Sequence, residues 1–146
     1  MFSLQNSKNR LIEYFSSRFD VDDNFWDDFK VHEKGNSLWI TSSNIELLEN
    51  FVASGIRALR IMNHGFKPTT YILQFLNHEI NKNVVNLSHE ELKVLIFDRE
   101  VIKTDLPRGY VALRYEEEVI GCGLRDSKGL RSQIPKGLAR ELEEIL

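Results

Sequence analysis

The sequence predicts an α+β fold, on three observations. Helix and strand patterns come first, a run of helices follows, and a compact β-rich module closed by a helix ends the chain. The last third, Gly109 to Gly137, reads GYVALRYEEEVIGCGLRDSKGLRSQIPKG, two apolar-rich runs split by a short acidic turn and followed by a basic segment. The 146 residues suffice for one ordinary domain or two small ones packed together with a real core. We expect a front subdomain over 1–98 and a second over 99–146, meeting near 98–105.

Leu11, Ile12, Phe15 and Phe19 share one face at helical spacing, which predicts a helix over Lys8 to Phe19 with Ser7 as its N-cap. Asp20 to Asp23 reads as a solvated acidic loop, and Phe25, Trp26 and Phe29 as aromatic core. Phe29 to Glu33 and Ser37 to Thr41 are strands joined by a tight turn at Lys34-Gly35-Asn36. Ser43 and Glu46 form a capping box before a short helix from Asn44 to Val52. Gly55 to Met62 is a strand, with Ile56, Ala58, Arg60 and Met62 on one side and Gly55, Arg57, Leu59 and Ile61 on the other. Asn63-His64-Gly65 breaks the chain, and Pro68 with Thr69 as cap starts a helix from Thr70 to about Asn77. Val84 to Leu87 is a short strand. Ser88 and Glu91 box the next helix, which carries Leu92, Val94, Leu95 and Ile96. Val101 to Lys103 is a strand. Gly109 to Tyr115 and Glu118 to Arg125 pair across Glu116-Glu117. Asp126 to Gly129 turns the chain with a glycine where positive φ is needed. Leu130 to Gln133 is a last strand, and Gly137 to Leu146 is a closing helix with Leu138, Leu142, Ile145 and Leu146 inward.

The hydrophobic share of 42% and charged share of 28% are those of a globular protein. No apolar run approaches membrane length, and residues 1–10 lack a signal-peptide pattern, so we expect a cytoplasmic location and no membrane partner. Net charge is −3, with the acid concentrated at the front, at Asp20, Asp22, Asp23, Asp27 and Asp28. Such a total does not favour nucleic acid, but clustering of cations decides more than their sum.

The residues offer little for catalysis. His32, His64, His78 and His89 show no metal-ligand spacing. There is no G-x-S-x-G elbow, no P-loop and no G-x-G-x-x-G. Cys122, the only cysteine, has no histidine beside it and reads as an inert buried thiol. Glu116 to Glu118 reads as a solvated hairpin tip. The expectation is a protein that is not an enzyme and holds neither cofactor nor metal.

The surviving constellation is basic. Arg108, Arg114, Arg125, Lys128, Arg131 and Lys136 lie within thirty residues. Ser132 and Gln133 add hydrogen-bonding groups, and the closing helix offers N-terminal amides. Arg57, Arg60 and Lys67 extend the set from mid-chain. A basic turn on a small β module fits either a solvated face or an RNA contact.

The same stretch resembles the PUA-like RNA-binding domain of the Sun family of RNA cytosine-5 methyltransferases. The GYV strand, the I-G-C-G-L strand end and the S-Q-I-P-K-G segment carry the likeness over about thirty residues. Arg57 to Ile61 and Lys67 to Thr70 are similar to the segment before that domain in archaeal relatives. The resemblance implies an N-terminal pre-PUA-like α+β subdomain packed on a C-terminal PUA-like β pseudo-barrel. It also implies binding to structured rRNA or tRNA, in ribosome biogenesis or RNA modification, beside an RNA methyltransferase or assembly factor. The family's glycine-rich S-adenosylmethionine loop and Pro-Cys pair have no counterpart here, so its activity is not carried over. Arg114, Arg125, Arg131, Ser132, Gln133 and Lys136 are carried over as RNA contacts, and Gly121, Gly123, Pro135 and Gly137 as shape residues. The rival expectation is a protein–protein adaptor whose acidic front docks on a ribosomal protein or an RNA-modifying enzyme.

Overall fold

The computed structural model describes residues 4–42, 55–101 and 105–146, and the architecture is α+β. The expected helix from Asn44 to Val52 and strand residues 102–103 lie outside the described residues. Helix α1 (Leu4–Phe19) precedes a 3-10 turn at Asp23–Trp26 and the strands β1 (Phe29–Lys34), β2 (Ser37–Ser42), β3 (Ile56–Met62) and β4 (Gly65–Pro68). Helix α2 (Thr70–Leu76), a 3-10 turn at Asn77–Glu79, β5 (Val84–Asn86) and α3 (His89–Asp98) follow. The chain continues through β6 (Glu100–Val101), β7 (Gly109–Tyr115), β8 (Glu118–Arg125) and β9 (Leu130–Ser132) to α4 (Lys136–Glu144).

Leu11, Phe15 and Phe19, four residues apart on α1, are fully buried. Each such side chain contributes about 2–3 kcal/mol of burial. They meet Trp26, Leu38, Ile40, Leu59, Ile72 and Leu73 in the larger of two core clusters. Helix α1 begins before Ser7, so Ser7 is not its N-cap and is instead a buried residue of the first turns. Arg18, near the C-terminal end of α1, donates Nε and Nη2 to the Tyr110 carbonyl at 2.8 and 2.6 Å and so ties α1 to β7.

The first sheet is antiparallel throughout, in the order β1-β2-β3-β4. Gly35 opens the β1–β2 turn with φ 60°, the left-handed region that glycine enters at least cost. Strand β4 was not legible as a strand. Its four residues, Gly65-Phe66-Lys67-Pro68, show no alternation, and Pro68 is tolerated because β4 is an edge strand. The β3 register is irregular. Leu38 faces Leu59 while Trp39 faces Arg57, leaving Ala58 as an extra residue. This bulge overturns the simple alternation expected of β3. Ala58 and Leu59 are both buried, and Arg57 and Arg60 are both exposed.

The second sheet has the order β5-β7-β8-β9-β6, with β5 parallel to β7 and the other pairs antiparallel. Its edges, β5 and β6, do not pair with one another among the described residues, so no closed barrel forms there. Sheet membership does not follow the chain at 98/99, since β5 belongs to the second sheet and Ala112, Val119 and Cys122 join the first core cluster.

Local signals are met where they were clearest. Thr69 caps α2 by accepting the Ile72 amide at 3.1 Å, and Ser88 and Glu91 form both halves of a capping box on α3. Glu116 and Glu117 both take positive φ, as a two-residue hairpin turn requires. In β8, Leu113 faces Gly121 and Arg114 faces Val119, so Ile120 is bulged. A Cβ on Gly121 would stand 2.5 Å from Ile134 Cγ1, so the glycine permits a close approach. On α4, Ala139 is buried and Leu138 and Leu142 pack on the second core, as does Leu146 just past the helix. Ile145 is 78% exposed and corrects the inward placement, because it falls at the C-cap, past the last helical turn.

Candidate nucleic-acid interface

Four of the sequence-predicted site residues converge. Arg57, Arg60, Lys67 and Gln133 line one cleft of about 130 Å³, together with Thr69, Tyr71 and Pro135. The β3 bulge brings Arg57 and Arg60 to the same side, and pairing of β3 with β4 sets Lys67 directly opposite Arg60. Thr69 fixes the corner where β4 enters α2, donating its hydroxyl to the Arg57 carbonyl at 2.6 Å while capping the helix. Gln133 arrives from the second sheet, its backbone amide bonded to the Cys122 carbonyl at 2.8 Å. The cleft therefore lies where the two sheets meet.

Arg57, Arg60 and Lys67 have no carboxylate partner among the described residues. Arg57 lies over the Trp39 ring, 5.9 Å from its centroid. Three cations with no carboxylate between them make a local positive field despite the net charge of −3. Tyr71, 52% exposed, stands at the same cleft.

The turn at 126–129 is arranged differently. Arg125 is buried and donates Nη1 to the Asp126 carbonyl. Arg131 Nε lies 2.7 Å from an Asp126 carboxylate oxygen and 3.7 Å from Glu100. Ser132 is buried, its hydroxyl accepting the Ile134 amide at 3.1 Å. These three stabilise the β8–β9 connection. Lys128 and Lys136 are exposed, Lys136 as the first residue of α4. Arg114 lines a separate polar cleft of about 440 Å³ with His78 and Lys82, and its Nε is buried there without a hydrogen-bond partner. Among the described residues, Arg114 lines a different cleft from Arg57, Arg60 and Lys67.

Tyr71 escaped the sequence reading. Its signal was its place two residues after the Thr69 cap, where a bulky ring on the first turn of a helix stays outside the core. Cys122 is fully buried, and burial pushes its thiol up to about 12, only partly offset by Lys67 and Arg18. At neutral pH it is a protonated thiol with no nucleophilic character. Its backbone amide donates to the Thr70 hydroxyl oxygen at 3.1 Å. His32 contacts the Thr41 hydroxyl at 3.2 Å and His89 the Tyr115 hydroxyl at 3.1 Å. Among the described residues no three His, Cys, Asp or Glu side chains gather where a metal ion could sit, and no helix is long and apolar enough to cross a membrane. In comparisons with known proteins, no family model and no curated protein matches the chain.

Proposed function

We propose that the protein is a non-catalytic RNA-binding protein whose contact surface centres on the Arg57–Arg60–Lys67 cleft. The observation that carries this reading is the convergence of three cations, with no acidic partner among the described residues, beside an exposed tyrosine. Cations of this kind hold phosphate oxygens, an aromatic face takes a base, and Gln133 keeps an amide oxygen for a base edge. The same composition suits an RNA loop or end, where bases are splayed out, better than a continuous duplex. In this reading β6, β7, β8, β9 and α4, within 99–146, are the PUA-like half and the elements of 1–98 the pre-PUA-like half. The ligand is then a structured rRNA or tRNA met in ribosome biogenesis or RNA modification, in the company of a methyltransferase or assembly factor.

The test is fluorescence anisotropy of a labelled tRNA or rRNA hairpin with Arg57→Gln/Arg60→Gln/Lys67→Gln. We expect affinity to fall about a hundredfold, on the scale of several charge-assisted hydrogen bonds. The slope of log K against log salt should become shallower by about two. Binding unchanged in both respects removes the cleft as the site. A second reading, a protein adaptor, is favoured by the exposure of Asp20, Asp22, Asp23, Asp27 and Asp28. A basic partner captured equally well after nuclease treatment would support it.

A further inference from the structure

Tyr71 and Phe75 lie four residues apart on α2, and both are exposed, at 52% and 44%. Residues at that spacing share a helix face and stand about 6 Å apart along the axis. Tyr71 lines the cationic cleft. Phe75 is held edge-on by Phe25 and Phe29, with ring centroids 6.0 and 5.8 Å away, and those two rings stack on each other at 5.7 Å. A ring fixed in this way has little rotamer freedom left to lose when a ligand stacks on it. Asp27 and Asp28, exposed and sited in the chain between Phe25 and Phe29, make that end acidic. One face of α2 thus presents two rings that start at three cations and end near two carboxylates.

We propose that Tyr71 and Phe75 form a stacking track for the bases of a single-stranded RNA segment whose phosphates are held in the Arg57–Arg60–Lys67 cleft. The proposal rests on the RNA-binding reading above and narrows its ligand to unpaired nucleotides. An axial offset of about 6 Å between the two helix positions suits one unstacked nucleotide per ring, against roughly 3.4 Å per nucleotide within a duplex strand. Charge sets the extent of the track. The cations hold phosphates at the Tyr71 end, and Asp27 and Asp28 repel them at the Phe75 end, so about two bases stack before the track stops.

The experiment compares a labelled adenosine hexanucleotide with the same sequence in a blunt duplex. Wild type is expected to prefer the single strand. Phe75→Leu keeps apolar bulk against Phe25 and Phe29 while removing the π-face, and Tyr71→Leu does the same at the cleft. Each is expected to weaken hexamer binding about tenfold. Equal affinity for strand and duplex overturns the track, and so does hexamer affinity unchanged in both leucine variants. Should Phe75→Leu lower the urea midpoint, Tyr71→Leu alone decides. The triple cleft variant run alongside separates the two failures. If it alone loses binding, the cleft stands and the track falls. If it too binds like wild type, the RNA-binding reading of the cleft falls with it.

Discussion

The turn that follows β8 and the cleft beside β3 are both rich in cations, and they differ in what those cations face. At the turn, Arg125 is buried against the Asp126 carbonyl and Arg131 sits between Asp126 and Glu100. In the cleft, Arg57, Arg60 and Lys67 line one opening, with Arg57 over the Trp39 ring and no carboxylate partner among the described residues. The Arg131 charge offers a ligand little, because a phosphate would have to displace a carboxylate already in place, and Arg125 is kept from a ligand by its burial. Three like charges that line one cleft, with no counter-charge among the described residues, cost the folded state some repulsion, which an anionic ligand relieves. Density of cations along the chain therefore does not distinguish a charge already met by the fold from one left open to an anion, and the two regions differ in that respect.

The sharpest way to break this contrast is to truncate one arginine from each region and measure stability. Arg125→Ala removes a buried, charge-assisted hydrogen bond and should lower unfolding free energy by about 2–3 kcal/mol. Arg60→Ala, exposed and with no acidic partner among the described residues, should stay within about 0.5 kcal/mol of wild type. Urea denaturation of both variants checks it. A reversal of the order would show that the cleft, too, is holding the fold together.

The sequence disclosed those parts of the molecule whose causes are local. Thr69 and Ser88 start helices by hydrogen bonds reaching three residues, so the starts of α2 and α3 were legible. The Glu116-Glu117 turn and the Asp126 to Gly129 turn were legible for the same reason. What was not legible depends on pairing between distant segments. The β3 bulge arises because β2 and β3 register differently on either side of Ala58, and without it Arg57 and Arg60 have opposite parity. The ion pair of Arg131 with Glu100 spans thirty-one positions of chain, and β6 pairs with β9 to bring them together. Choosing which cations of the candidate site are free required that pairing. Ile145 misled for a simpler reason, since a helical pattern carries no mark of its own last turn.

Gly121 joins the two regions and offers a smaller, sharper test. It lies in β8, where a Cβ would meet Ile134 Cγ1 at 2.5 Å and Thr70 Oγ1 at 3.1 Å. Ile134 follows Gln133 and Thr70 precedes Tyr71, so a methyl group here pushes apart two walls of the cleft. Gly121→Ala should cost about 1–2 kcal/mol through overpacking. It should also weaken RNA binding, although it removes no charge. Lost stability with full binding would show that the cleft tolerates displacement of its walls, and that its cations alone set affinity.

The smallest effect concerns acid. The Asp126 carboxylate accepts the amides of Lys128 and Gly129 at 2.9 and 3.2 Å and pairs with Arg131. The Lys128 amide does most to hold its pKa below the ordinary 3.8, with the Gly129 amide and Arg131 adding to it against a counter-pull from desolvation. A carboxyl whose pKa is depressed by folding stabilises the native state above its unfolded pKa. That contribution disappears as pH falls through the folded pKa. Part of the wild-type stability should therefore be lost on acidification below about pH 3.8, read as the urea midpoint across pH 5 to 2.5. Asp126→Asn should flatten that descent, since an amide has no proton to take up. The triple cleft variant, which touches no carboxylate, should descend as wild type does. If the cleft variant flattened the curve and Asp126→Asn did not, the neutralised region and the free one would have to exchange places.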